Sequence, residues 1–128
     1  MAGPDADRVE WPWLTPFGAE KLAASRGSCE VRLGRPVAAT EVLGEALAAP
    51  TLTVRRRGEL LVDLGLAHAK RREPVEACAV LAEALTISTM RRSPLLLERV
   101  REVRGNIENW RYLPEVAEFD ERLYTTWL

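Results

Sequence analysis

PVAATEVLGEAL at residues 36–47 is followed, 38 residues further along the chain, by PVEACAVLAEAL at residues 74–85. Both segments read PVxAxxVLxEAL, and a glycine lies nine residues before each proline, at Gly27 and Gly65. A third, weaker copy begins at Gly105 and keeps the same glycine-to-proline spacing, shifted by a further 40 residues. Self-similarity at a fixed spacing is typical of repeat architectures. The sequence therefore predicts two full repeats and a degenerate third capping unit.

Each repeat has the pattern of a helical hairpin. Pro36, Pro74 and Pro114 suit the first position of a helix, where the missing N–H has no helical partner to lose. Gly27 and Gly65 fall inside the preceding helices, where we expect the absent side chain to let the paired helix approach closely. The expected first helices cover residues 17–33, 54–71 and 94–109, and the expected second helices cover residues 36–48, 74–89 and 114–125.

The second helices carry apolar residues at helical spacing, which predicts one buried face on each. The small residues Ala39, Ala46, Ala77 and Ala84 are expected to lie opposite the glycines. The predicted core faces comprise Val37, Thr40, Leu43 and Leu47 in the first copy, and Val75, Cys78, Leu81 and Leu85 in the second.

Composition supports a single all-α domain. The chain has 128 residues, of which 47% are apolar, and it is rich in alanine and arginine, both strong helix formers. A net charge of -1 provides no overall field for nucleic acid or anionic lipid. No long apolar run predicts a membrane span, no secretory signal is recognisable, and the two cysteines, Cys29 and Cys78, form no CxxC pair. We expect a cytoplasmic protein with a flexible acidic tail at residues 1–10 and a repeat domain at residues 11–128.

Aromatic residues concentrate at the two ends of the predicted repeat domain. The segment WPWLTPF at residues 11–17 is predicted to cover the first hairpin, and a pocket beneath Trp11, Trp13 and Phe17 would suit small-molecule sensing. Trp110, Tyr112 and Trp127 lie at the other end, where they would suit homodimerisation. Both functions are alternatives to binding a peptide or protein.

The repeated motif GxxxxxxxxPxxAxxxLxxAL resembles the tetratricopeptide repeat over residues 20–125. More narrowly, WPW, KLAASRGSCEVRLGRP at residues 21–36 and VREVRGNIENWRYLPEVAEFDERL at residues 100–123 resemble the C-terminal half of actinobacterial helix-turn-helix regulators of transcription (XRE-type). The resemblance implies a right-handed stack of helical hairpins that serves as a sensing or protein-contact module. Because 128 residues leave no room for the DNA-reading domain, direct nucleic-acid binding is not expected.

Catalysis, cofactors and metals are not predicted. The chain has one histidine, His68, and no serine, cysteine or carboxylate lies at a motif spacing that would pair with it, so a packed histidine is expected. No phosphate-binding glycine loop is present, and Glu98 and Glu102 alternate with arginines in the manner of ion pairs along a helix.

Two surfaces are candidates for binding. Five arginines, Arg55, Arg56, Arg57, Arg91 and Arg92, are expected on one edge, where they would be solvated, hold an acidic protein partner or contact nucleic acid. The family resemblance also implies a concave groove lined by the first helices. Its positions in this sequence are Lys21, Ser28, Arg32, Glu59, Leu66, Lys70, Arg99, Asn106 and Asn109.

Overall fold

The computed structural model describes residues 34–126, which fold entirely into helices and turns without a strand. This confirms the all-α prediction for the described part of the chain. The acidic tail, the aromatic cover and the helix expected at 17–33 lie outside the described residues, as does Gly27. The helices are α1 (Pro36–Leu47), α2 (Val54–Lys70), α3 (Pro74–Met90), α4 (Pro94–Arg104), a 3-10 helix (Gly105–Trp110) and α5 (Pro114–Thr125).

The helix starts follow from proline and from hydroxyl caps. Proline opens α1, α3, α4 and α5, where it costs no hydrogen bond. The Thr53 hydroxyl accepts a hydrogen bond from the Arg56 N–H at the start of α2, at 3.1 Å. Ser93 caps α4 in the same way through the Leu96 N–H, at 3.2 Å. The starts of α1, α2, α3, α4 and α5 therefore agree with the predicted map.

The turns after α2 and α3 have the same sequence pattern, Arg-Arg-x-Pro, and the same backbone. Arg72 and Arg92 adopt positive φ angles of 63° and 49°. One residue later, the Glu73 N–H donates to the His68 carbonyl and the Ser93 N–H to the Ser88 carbonyl, both at 2.9 Å. These are the bonds of a Schellman motif, in which glycine usually occupies the left-handed position.

The helix predicted at 94–109 is an α-helix only as far as Arg104. The α-helix ends at Arg104, and the chain continues as the 3-10 helix, inside which Ile107 has non-helical angles (φ -117°, ψ 22°). Ile107 is completely buried in the core. A tighter last turn is frequent at helix ends, and here it accompanies the burial of this one side chain.

Consecutive helices pack against each other, and two pairs of alternate helices are also in contact. Each of α1, α2 and α3 packs on the helix that follows it, and in addition α2 packs on α4 and α3 on α5. The larger hydrophobic cluster is formed by α2, α3, α4, the 3-10 helix and α5, and the smaller one by α1 and α2. Leu47, Leu66 and Val80 contact both clusters.

The prediction that Val37 and Val75 belong to the core is wrong. Their side chains are 57% and 42% exposed. Each valine lies six residues before a fully buried leucine, Leu43 or Leu81. At about 100° per residue, six residues fall about 120° short of two full turns, so the valine and the leucine point to different faces of the helix. The faces that are buried contain the repeated small residues, Ala39 and Ala46 in α1 and Ala77 and Ala84 in α3, together with the leucines.

At Gly65 helices α2 and α3 come close together, as predicted. A Cβ atom at this position would lie 2.9 Å from Leu81 Cδ2 and 3.0 Å from Leu81 Cγ. The opposite residue is thus a leucine of α3 and not the expected alanine. Gly58 brings α2 close to α4 in the same way, since its Cβ would lie 2.8 Å from Leu96 Cδ2.

Candidate interaction surface

A cleft of about 450 Å³ lies between the first turns of α2 and α4 and the turn that precedes α4. Gly58 permits the close contact of the two helices, and Arg99 Nη2 lies 2.8 Å from Asp63 Oδ1 across them. The lining consists of Arg55, Glu59, Arg91, Arg92, Ser93, Pro94, Leu95, Leu96 and Arg99.

The cleft has an excess of positive charge, with four arginines and one glutamate in its lining. Arg99 is paired with Asp63, and Arg55 lies 3.5 Å from Glu59. The side chains of Arg91 and Arg92 form no hydrogen bond or ion pair with any residue of the range 34–126, and both are exposed. Two guanidinium groups in the cleft are therefore not occupied by the described part of the chain.

The predicted edge of five arginines is right only in part. Arg55, Arg91 and Arg92 line the same cleft, but Arg56 and Arg57 do not. Arg56 donates to Glu59 at 2.9 Å. Arg57 Nε lies 2.5 Å from Glu83 Oε2 of α3, and this hydrogen bond raises the pKa of Arg57 above its usual value.

Apolar surface lies beside these charges. Leu95 is 75% exposed, whereas its neighbours Leu96 and Leu97 are buried in the core. Pro94 and Leu95 form the first turn of α4, whose N-terminal end carries the positive pole of the helix dipole. The cleft therefore combines positive charge with an exposed leucine.

The predicted groove residues are not gathered in one place. Glu59 and Arg99 line the cleft. Leu66 is half-buried and packs on both hydrophobic clusters, so its side chain serves the core. Lys70, Asn106 and Asn109 are exposed, but outside the cleft. Lys21, Ser28 and Arg32 lie outside the described residues.

Sequence reasoning missed Asp63, Ser93 and Leu95. Two of them had a local signal: Ser93 directly precedes the proline that opens a helix, which is an N-cap pattern, and the three leucines at 95–97 cannot all be buried by a helix that packs on one side. Asp63 gave none, since its partner Arg99 is 36 residues away and the pairing depends on which helices are neighbours.

The chemically reactive side chains lie elsewhere. His68 is largely buried in the last turn of α2, and its Nδ1 lies 2.8 Å from Glu73 Oε1. The expectation that no carboxylate pairs with His68 is wrong, because the Schellman turn folds Glu73 back over it. Burial raises the pKa of the Cys78 thiol from 9.0 to about 11. Among residues 34–126, no group of three side chains could ligate a metal ion.

The aromatic end of the chain is partly described. Tyr112 is 73% exposed and Trp110 is half-buried against the larger cluster, while Trp127 lies outside the described residues. A smaller concavity of about 220 Å³ separates α3 from α5 and is lined by Cys78 and Phe119, among other residues.

In the described range no helix has the length and hydropathy needed to cross a membrane.

Comparison with known proteins gave no relative: the chain matches no protein-family model, no curated protein and no solved structure.

Proposed function

We propose that this chain is a non-catalytic protein-interaction module, built as a right-handed, tetratricopeptide-like stack of helical hairpins and related to the regulatory half of bacterial transcription regulators. The register between alternate helices supports the stack. Gly58 meets Leu96, 38 residues later, and Asp63 meets Arg99, 36 residues later. These separations are close to the 40-residue shift between the second and third copies of the sequence repeat, as expected when equivalent helices of successive hairpins lie side by side.

The observation that carries the proposal is the cleft between α2 and α4. It is open, it mixes unoccupied guanidinium groups with an exposed leucine, and it lies between the first helices of two successive units, a face that helical stacks use for binding. The His68–Glu73 pair belongs to the opposite end of α2 and does not line the cleft. We therefore propose that the cleft contacts a peptide or protein segment rather than a reacting substrate.

A peptide-display selection on the immobilised full chain tests this function. We expect enriched peptides whose binding, measured by fluorescence anisotropy, weakens about tenfold or more in Leu95→Asp, because a carboxylate would replace apolar contact area in the cleft. Tyr124→Asp is the matched control, since Tyr124 is 77% exposed and outside the cleft. Circular dichroism checks that both variants fold. Failure to enrich any peptide, or equal binding by both variants, would reject the proposed function.

A further inference from the structure

We propose that the cleft between α2 and α4 selects acidic peptide segments, whose carboxylates are bound by Arg91 and Arg92 while an apolar side chain of the same segment packs on Leu95. This inference rests on the proposed function and specifies the chemistry of its ligand.

The four cleft arginines differ in whether they are already paired. Arg99 already donates to Asp63 at 2.8 Å, and Arg55 lies beside Glu59. Arg91 and Arg92 have no such partner within residues 34–126. A guanidinium group presents a planar fork of N–H donors that matches a carboxylate at two points. These two neighbouring residues therefore offer the free donors for two acidic side chains.

Apolar surface lies next to those donors. Leu95 follows Arg92 by three residues, lines the same cleft and is 75% exposed. A ligand that carries only charge would leave this side chain in water. A peptide with acidic residues beside a leucine, isoleucine or aromatic residue would satisfy the arginines and cover Leu95 together.

The charges of the cleft favour a peptide over a nucleic acid. Glu59 lines the cleft and Arg99 is already paired with Asp63 at 2.8 Å, so one carboxylate lies among the guanidinium groups and one of those groups is neutralised. Nucleic acid gains affinity by neutralising a series of phosphates along its backbone. The Glu59 carboxylate opposes an extended run of phosphates, whereas a peptide needs only two or so charge contacts of limited extent.

The matched turns of the molecule provide the control. Arg72 and Arg92 occupy equivalent positions in Arg-Arg-x-Pro turns, both are exposed, and both have positive φ. Only Arg92 lines the cleft. A substitution made at each position changes the net charge and the local backbone in the same way, so a difference in binding reports the cleft alone.

The experiment uses the full chain and a fluorescein-labelled peptide that repeats Glu-Glu-Leu. We expect it to bind about tenfold or more tightly than the uncharged peptide that repeats Gln-Gln-Leu, and to be released by added salt. Arg92→Glu should weaken binding about tenfold or more, and Arg72→Glu should leave it within about twofold. Arg92→Gly removes the guanidinium at a backbone position that suits glycine, so its loss of binding, compared with Arg72→Gly, cannot arise from misfolding.

The outcomes separate the inference from the proposed function. Equal binding of the two peptides, or equal loss in the Arg72 and Arg92 variants, would overturn the acidic-ligand inference, while display-selected peptides would still report the proposed function. Tighter binding of a thymidine oligonucleotide, lost in Arg92→Glu, would overturn it in favour of nucleic acid. If neither peptide binds and display enriches nothing, both proposals fail.

Discussion

Arg104 and Asp120 form a two-point ion pair that joins the end of α4 to the middle of α5. Nε lies 2.5 Å from Oδ1, and Nη2 lies 2.7 Å from Oδ2. Only 12% of the Arg104 side chain is exposed, and the hydrogen bonds that it donates to Asp120 raise the pKa of Arg104 above its usual value. Glu108 accepts a further hydrogen bond from Nη1 at 3.0 Å.

Asp120→Ala should lower the free energy of unfolding by about 2 kcal/mol, because a largely buried guanidinium would lose its two-point partner. Urea denaturation followed by circular dichroism measures this change. Glu108→Ala is the control, since the Glu108 side chain is 55% exposed and we expect a loss of about 0.5 kcal/mol or less. Equal losses in the two variants would show that burial of Arg104 does not make the Asp120 contact stronger.

Gly65→Ala and Gly44→Ala should change stability in opposite directions. Alanine in a helix is favoured over glycine by about 1 kcal/mol. At Gly44 a Cβ atom meets nothing within 4 Å, so we expect that gain. At Gly65 it would lie 3.0 Å from Leu81 Cγ, which is not the free end of the side chain, and the resulting displacement should cost about 1–3 kcal/mol. Thermal unfolding compares the two variants. A stabilised Gly65→Ala would mean that the contact of α2 and α3 relaxes without cost.

Arg72→Gly and Arg92→Gly should each stabilise the fold by roughly 0.5–1 kcal/mol, because glycine adopts positive φ without the Cβ clash that other residues meet there. Arg91→Gly is the control at the same turn, since Arg91 has φ -93°. Chemical denaturation should show no gain for Arg91→Gly. A gain of similar size at all three positions would indicate an effect of removed charge and not of backbone conformation.

Cys78 should react slowly with iodoacetamide at pH 8. Its pKa of about 11, raised by burial from 9.0, lowers the fraction of reactive thiolate about a hundredfold. Because the thiolate is the reactive form, reactivity should rise about tenfold for each pH unit and level off only above about pH 11. Mass spectrometry of the peptide that contains Cys78 follows the labelling, and labelling in denaturant is the control. Rapid labelling of the native chain would contradict the burial of this thiol, which is 5% exposed.

The helices were predictable because their signals are local. Proline at the first position, a repeated apolar stripe and the caps act within a few residues, and the expected starts at 36, 54, 74, 94 and 114 agree with the structure. The errors lie where tertiary packing decides. Val37 and Val75 are apolar residues at plausible spacing, yet each lies outside the contact face, and Ile107 enters the core through a change of helix type.

The candidate site was less predictable because it depends on pairs distant in sequence. The arginines at 55, 91 and 92 were expected on one edge and do line one cleft. Arg57 could not be separated from them by sequence, because it turns to Glu83, 26 residues away. Glu73 was overlooked as the partner of His68, because the contact exists only once the turn after α2 reverses the chain.

Because the interior is divided into two clusters, we expect the described helices to unfold in a definite order. The smaller cluster holds α1 against one side of α2, and its residues Leu60 and Leu64 could be exposed by the departure of α1 alone. The buried residues of the larger cluster, among them Leu81 and Val100, all lie in α2 and the elements after it, so this cluster would lose only the contact with Leu47. Within residues 34–126, α1 is thus the element from which amide exchange and proteolytic cleavage should begin, well before cooperative unfolding reaches α3.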